Sequence, residues 1–196
     1  EKLFVSANNS LNEKRHKTSF LALRYGNVVG SSGSVIPKFI KMINEGKKIT
    51  ITDSEMTRFS ITMEQALDFI IDCTLNGKSS EIYVPKLKSY SIMDVKDALF
   101  DILGKTDFDV VGIRPGEKLH ETLINSEEIR NSWDLQNKFM ISNPIRNDEE
   151  IIKSYNNQIK KITDMDEYSS KIATHHTKHE LIKIIEKSNL LNHKDD

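Results

Sequence analysis

The chain has 196 residues, 28 of them basic and 29 acidic, with a net charge of −1; this excludes the one-signed field that a nucleic-acid or anionic-membrane partner calls for. Apolar residues make up 37%, so a thin core is expected, and no apolar run approaches the roughly 20 residues that a membrane-crossing helix needs. Cys73 is the sole cysteine, which excludes a disulfide framework and points to a reducing, cytoplasmic setting.

The sequence opens on Glu1 inside an apparent helix, residues 1–8, with Leu3, Phe4 and Ala7 at helical spacing. A polar loop carrying Lys14-Arg15-His16-Lys17 follows, then an apolar strand from Ser19 to Tyr25 and a glycine-rich turn. The pattern next predicts a helix from Ser34 to Glu45, with Ser34 as N-cap, Pro37 in the first turn and Gly46 past the end. Residues 48–52 alternate as a strand, Met56-Thr57-Arg58-Phe59 reads as a connecting segment, and Thr62 with Gln65 opens a helix to Asn76. A strand at Glu81–Val84, stopped by Pro85, precedes a helix from Ile92 to Leu103 that Ser91 caps.

The second half is read as a strand at Phe108–Ile113, a helix at Glu117–Ile124 and a strand near Lys138–Ser142. Residues 148–170 are polar and loosely helical, with little to bury; Thr177 and Glu180 then box the start of a last helix, Lys178–Lys187, whose apolar stripe is Leu181, Ile184 and Ile185. Strands alternating with helices of about a dozen residues indicate an α/β fold with a parallel sheet. Two regions are expected, 1–147 as the main fold and 148–196 as a polar helical extension.

Two segments carry chemistry. Leu23-Arg24-Tyr25-Gly26-Asn27-Val28-Val29-Gly30-Ser31-Ser32-Gly33-Ser34 runs a strand into a glycine turn and a helix start, where backbone N–H groups and the helix dipole suit phosphate. Ile113-Arg114-Pro115-Gly116-Glu117-Lys118 ends a strand with a cation and then presents a carboxylate. Together they point to a nucleotide or nucleotide-sugar ligand, since a guanidinium fork matches phosphate oxygens and a carboxylate accepts from ribose hydroxyls. The spacing Gly26, Gly30, Gly33 with Asp53 downstream imitates a dinucleotide fingerprint but lacks Gly-x-Gly, so it is rejected as a primary cofactor loop.

Each candidate also has a plain alternative. Asn27 suits an ordinary turn, Ser34 a helix cap, Arg58 a solvated loop, and Arg114 with Glu117 a surface ion pair worth under about 1 kcal/mol. His175, His176 and His179 lack the cysteine or Glu-x-x-His context of a zinc site and read as a polar run. Trp133 and Cys73 read as core. No residue here is assigned a catalytic role and none a metal.

The order of these segments resembles the C-terminal half of the extended short-chain dehydrogenase/reductases. Within them it is most similar to the polysaccharide-biosynthesis branch, the inverting UDP-N-acetylglucosamine 4,6-dehydratases. The matching runs are Glu1-Lys2-Leu3-Phe4-Val5-Ser6-Ala7-Asn8, Arg24 to Ser31, Gly33 to Pro37, Ile51-Thr52-Asp53, Met56 to Phe59, Tyr83 to Leu87 and Gly112 to Glu121. The resemblance implies part of a doubly wound, Rossmann-like parallel sheet with a smaller α/β substrate-binding region. It implies backbone contacts to NADP (or NAD) at Tyr25, Gly26 and Val28, and contacts to a UDP-sugar from Asn27, Ser32, Ser34, Val35, Thr52, Arg58, Arg114 and Glu117.

The dinucleotide fingerprint, the acid/base pair and the Tyr-x-x-x-Lys pair of the family are absent from these 196 residues, the lysine being expected just upstream of Glu1. The expected role is the substrate-binding half of a dehydratase, inactive alone, homo-oligomeric when complete or paired with a separate N-terminal half. A split or non-catalytic binding module and a nucleotide-sugar 4-epimerase are the alternatives.

Overall fold

The computed structural model describes residues 1–10, 18–31 and 33–192. Helix α1 (Lys2–Ser10) is followed by strands β1 (Ala22–Leu23) and β2 (Asn27–Val28), helix α2 (Val35–Asn44), and strands β3 (Ile49–Ile51) and β4 (Thr57–Ile61). Helix α3 (Met63–Asn76) leads to β5 (Ile82–Pro85), β6 (Ser89–Ser91), helix α4 (Ile92–Leu103) and β7 (Phe108–Val110). Then come β8 (Thr122–Ile124), β9 (Ser132–Asp134), β10 (Lys138–Ile141), helix α5 (Asp148–Ser154), β11 (Lys160–Lys161) and helix α6 (Lys178–Lys187). The fold is mixed α/β, with parallel pairs β1/β5, β2/β4 and β3/β7 and antiparallel pairs β5/β10, β9/β10, β9/β11 and β4/β6. No helix of the described residues is long and apolar enough to cross a membrane.

Helices form where local chemistry starts them. The Ser91 hydroxyl accepts from the Asp94 N–H at 3.0 Å. Thr177 and Glu180 close a reciprocal box, at 3.3 Å and 2.9 Å, ahead of α6. The Asn147 side chain accepts from the Glu149 N–H at 3.0 Å and starts α5, a helix that seats Ile151 at 0% exposure. The segment expected to bury little thus contributes Ile151, Ile159, Ile162 and Tyr168 to the interior.

Departures from the sequence reading cluster where distant strands decide the backbone. The strand expected at 19–25 shrinks to Ala22–Leu23, and β2, β4 and β6 occupy residues read as turn and connection. These strands exist through each other: Asn27 pairs with Ser60, Val28 with Ile61, and Thr57, Arg58 and Phe59 with Ser91, Tyr90 and Ser89. The helix expected at 117–124 does not form. Its would-be backbone bonds go elsewhere, the Leu119 carbonyl to the Thr57 N–H at 3.1 Å and the Glu121 N–H to the Ser170 hydroxyl at 2.9 Å. The strand expected to reach Ile113 ends at Val110 and is exposed throughout.

The chain divides into two compact units, each woven from separated stretches. The first (Glu1–Tyr25, Glu64–Lys86, Thr122–Tyr168) is built on the sheet β1-β5-β10-β9-β11. Its core joins Phe69 and Cys73 of α3 to Tyr83, Trp133, Met140, Ile151 and Ile159. Trp133 is core, its indole N–H donating to Ser142 Oγ at 3.3 Å. Cys73 is fully buried, which pushes its thiol up to about 11 and makes it inert. Glu81, at 0% exposure, accepts from the Tyr83 and Tyr155 hydroxyls and pairs with Arg146 at 3.1 Å, so its buried charge is compensated.

The second unit (Gly26–Met63, Leu87–Glu121, Ser169–Asp196) packs α2, α4 and α6 around β3. Ile36, Phe39 and Ile40 of α2 meet Ile49 and Ile51, Val95 and Leu99 of α4, and Leu181 and Ile185 of α6. Beside this core, β2, β4 and β6 form a three-stranded sheet.

Gly26 leads into that sheet. A Cβ there would stand 2.4 Å from Phe59 Cβ and 3.2 Å from its carbonyl carbon, so a side chain has no room. Gly26→Ala should cost about 1–3 kcal/mol through overpacking, seen as a lower urea midpoint at unchanged slope. A wild-type midpoint would show that β4 moves aside freely.

Candidate functional site

Within the second unit, a cavity of about 390 Å³ opens where loop ends and strand ends converge, a size within the range of small-molecule sites. Four backbone features build it. The turn after β2 bends through Gly30 (φ +81°) and Gly33 (φ +79°), conformations that glycine adopts without Cβ penalty. It delivers Ser34 to the N-cap position of α2 with extended backbone (φ −73°, ψ 161°). The Ser34 hydroxyl makes no capping bond; Oγ is buried without a protein partner. The cap expected there is therefore positional, and the first-turn N–H groups of α2 carry no side-chain cap.

The third feature is a tight turn at 114–117, where the Glu117 N–H donates to the Arg114 carbonyl at 3.0 Å around Pro115 and Gly116 (φ +83°). Proline at the second position and glycine at the third match a type II turn. The fourth is the start of β4, which brings Met56 and Arg58 opposite β6 and Tyr90.

Of the sequence candidates, Asn27, Ser34, Val35, Thr52, Arg58, Arg114 and Glu117 all line this one cavity. Ser32 lies outside the described residues, as does Lys14-Arg15-His16-Lys17. Gly26 and Val28 are not among the lining residues. The Val28 carbonyl accepts from the Ser31 N–H at 3.1 Å. Tyr25 belongs to the first unit and is 40% exposed.

The charged groups are not equivalent. Arg58, its side chain 14% exposed, donates to the Thr57 and Leu119 carbonyls at 2.7 Å and 3.1 Å. It also stands 3.9 Å from Glu117 and 3.7 Å from Glu121. Glu117 bonds Thr52 Oγ1 and the Arg114 N–H, both at 3.4 Å. The surface ion pair given as the plain alternative for Arg114 and Glu117 is instead a backbone bond, and the exposed Arg114 guanidinium has no protein partner among the described residues. Lys38 adds a third cation to the lining.

Sequence reasoning missed Lys38, Thr50 and Tyr90 as lining residues, and Glu121 behind the lining. Lys38 had a signal, falling four residues after Ser34 on the same helix face. Tyr90 had none, because β6 arises from pairing with β4. Glu121 accepts from Asn27 Nδ2 at 2.8 Å and from the Phe59 N–H at 2.9 Å. His120, expected to follow on a helix, instead contacts Thr57 Oγ1 through Nδ1 at 2.8 Å. His176 is half-buried, which lowers its pKa. No cluster of three or more His, Cys, Asp or Glu suited to a metal occurs among the described residues.

Burial, reinforced by the Glu121 carboxylate, holds the Tyr90 phenol well above its ordinary range. Since the unfolded tyrosine ionises near about pH 10, stability from this group is lost as pH rises past that value. Tyr90→Phe should leave the 295 nm absorbance titration between about pH 9 and about pH 11 unchanged. Loss of one titrating phenol in that window would place the hydroxyl in solvent.

Residues 1–143 match the family model for "Polysaccharide biosynthesis protein". Over 147 residues the chain is 43% identical to a UDP-N-acetylglucosamine 4,6-dehydratase (inverting) of Campylobacter jejuni, covering 74% of this chain and 42% of that protein. It is 37% identical over 165 residues to a UDP-glucose 4-epimerase of Rickettsia bellii, covering 84% of this chain and 47% of that protein. The X-ray structure of Pen from Bacillus thuringiensis superposes with a TM-score of 0.81 at 31% identity, over 97% of this chain and 56% of that one. The chain therefore spans less than half the length of the curated relatives it matches.

Proposed function

The chain belongs to the polysaccharide biosynthesis protein family, and from that premise we propose that it is the substrate-binding part of a UDP-N-acetylglucosamine 4,6-dehydratase. What supports the reading is the convergence of Asn27, Ser34, Thr52, Arg58, Arg114 and Glu117, from four separate backbone segments, on one cavity. Three cations against one carboxylate in the lining suit a diphosphate. Arg58 and Arg114 face its oxygens, the uncapped start of α2 adds N–H donors, and Glu117 accepts from the ribose hydroxyls. Phe39, Met56, Tyr90 and Ile92 provide apolar wall.

The two curated relatives differ in the bond that they change, yet both are named for a UDP-sugar. A unit that holds the nucleotide is the part such enzymes have in common. The greater identity to the dehydratase, and the Met56–Phe59 and Arg114–Glu121 runs, favour the dehydratase over the epimerase reading.

Backbone contacts to a nicotinamide cofactor from Gly26 and Val28, together with Tyr25, are part of this proposal and rest on the resemblance; Gly26 and Val28 do not line the cavity. This chain's share of the chemistry is to bind the sugar nucleotide and fix its orientation.

Titration calorimetry with UDP tests the assignment. Binding to the wild-type chain is expected, and Arg114→Ala should weaken it by about 1.5–3 kcal/mol, the range for a hydrogen bond to a charged group. Because the Arg114 guanidinium has no hydrogen-bond or ion-pair partner among the described residues, and the Arg114 N–H that meets Glu117 is kept in alanine, the variant should melt as wild type does. Equal heats for the two proteins would remove Arg114 from the site.

A further inference from the structure

We propose that Glu121 is a positioning residue that aims Asn27 and Arg58 into the cavity, resting on the sugar-nucleotide reading of that cavity. Glu121 does not itself line the space. Its two carboxylate oxygens are divided between jobs. Oε2 accepts from the Phe59 backbone N–H at 2.9 Å, which ties it to β4. Oε1 accepts from Asn27 Nδ2 at 2.8 Å and lies 3.7 Å from Arg58 Nε. One carboxylate therefore meets both a neutral and a charged group of the lining.

The chemistry of the carboxylate removes an ambiguity that side-chain amides otherwise carry. An ionised carboxylate accepts and cannot donate, so the group of Asn27 facing it has to be the NH₂. With that nitrogen turned to Glu121, Asn27 Oδ1 is left unengaged by this bond, and Asn27 offers the ligand an acceptor as well as its second N–H. A sugar-nucleotide presents donors of this kind in its hydroxyl and amide N–H groups.

Glu121 is itself held from behind. Its N–H donates to Ser170 Oγ at 2.9 Å, and Ser170, at 0% exposure, meets Thr57 Oγ1 at 2.8 Å. Thr57 precedes Arg58 on β4, so the backbones carrying the carboxylate and the guanidinium are joined through one buried hydroxyl. Groups supported in this way keep their orientation without a ligand, which lowers the ordering cost of binding.

A double-mutant cycle read by calorimetry with UDP-N-acetylglucosamine tests the proposal. Glu121→Gln preserves shape but sets an amide NH₂ against one of two N–H donors. It should weaken binding roughly tenfold in the wild-type background and less than about twofold when Asn27→Ala is already present. Equal losses in both backgrounds, or none, would overturn the positioning role while leaving the Arg114 result standing. Absence of binding by the wild-type chain would remove both readings. If Glu121→Gln fails to melt cooperatively, the ¹⁵N–¹H₂ signals of Asn27, identified by their loss in Asn27→Ala, decide in the wild-type protein. A carboxylate-bound amide should exchange its hydrogens slowly, and exchange at the rate of a solvated side-chain amide would overturn the proposal.

Discussion

The parallel pairing of β2 with β4 is the constraint on which the second unit depends. Two residues of β2 bind two of β4, Asn27 to Ser60 and Val28 to Ile61, and the Val29 N–H adds a bond to the Ile61 carbonyl at 2.9 Å. Because Gly26 lacks a side chain, the backbone entering β2 can lie against Phe59. That closeness sets where the glycine turn begins, and so where α2 starts. The same β4 pairs on its other edge with β6, which carries Tyr90 into the wall. A short ladder of few hydrogen bonds thus fixes one side of the cavity, and the apolar packing of α2 against β3 and α4 fixes the other.

How far the sequence revealed this depends on the range of the interactions involved. Helices α4 and α6 were legible to within a residue because Ser91, Thr177 and Glu180 start them through bonds three residues long. The glycine turn and the Pro115-Gly116 turn were legible for the same reason: local dihedral demands select those residues. Strands β2, β4 and β6 were not, since two to five residues of modest β-propensity acquire strand geometry from partners up to 34 positions away, as for Val28 and Ile61 at 33. The failed helix at 117–124 shows the reverse effect. Its apolar spacing was acceptable, but Thr57, Arg58 and Ser170 captured the backbone groups that a helix needs.

The lining residues follow the same division. Those inside motif runs, such as Asn27 and Arg114, could be named from the chain alone, whereas Thr50 and Tyr90 enter through tertiary pairing. Glu121 lies within the Gly112–Glu121 run, but the positioning role proposed for it depends on where Asn27 lies, 94 positions earlier. Sequence spacing identifies the groups that line the cavity more readily than those bonded behind them.

The two arginines illustrate why that difference matters energetically. Arg58 has its guanidinium engaged by two carbonyls and flanked by two carboxylates, with little exposure. Its conformational entropy is already lost on folding, so a ligand anion, on the proposed reading, would meet a charge set in advance. The cost is that the same side chain links β4 to the Leu119 carbonyl; truncating it would remove one donor from each of two carbonyls and mix stability with affinity. Arg114 stands exposed on a turn and must be ordered by whatever it binds. Its contribution to binding is the contact less that ordering, while its contribution to folding is small. On the proposed sugar-nucleotide reading, a rigid and an adaptable cation on separate segments would let one cavity fix an anion's position and still admit it from solvent.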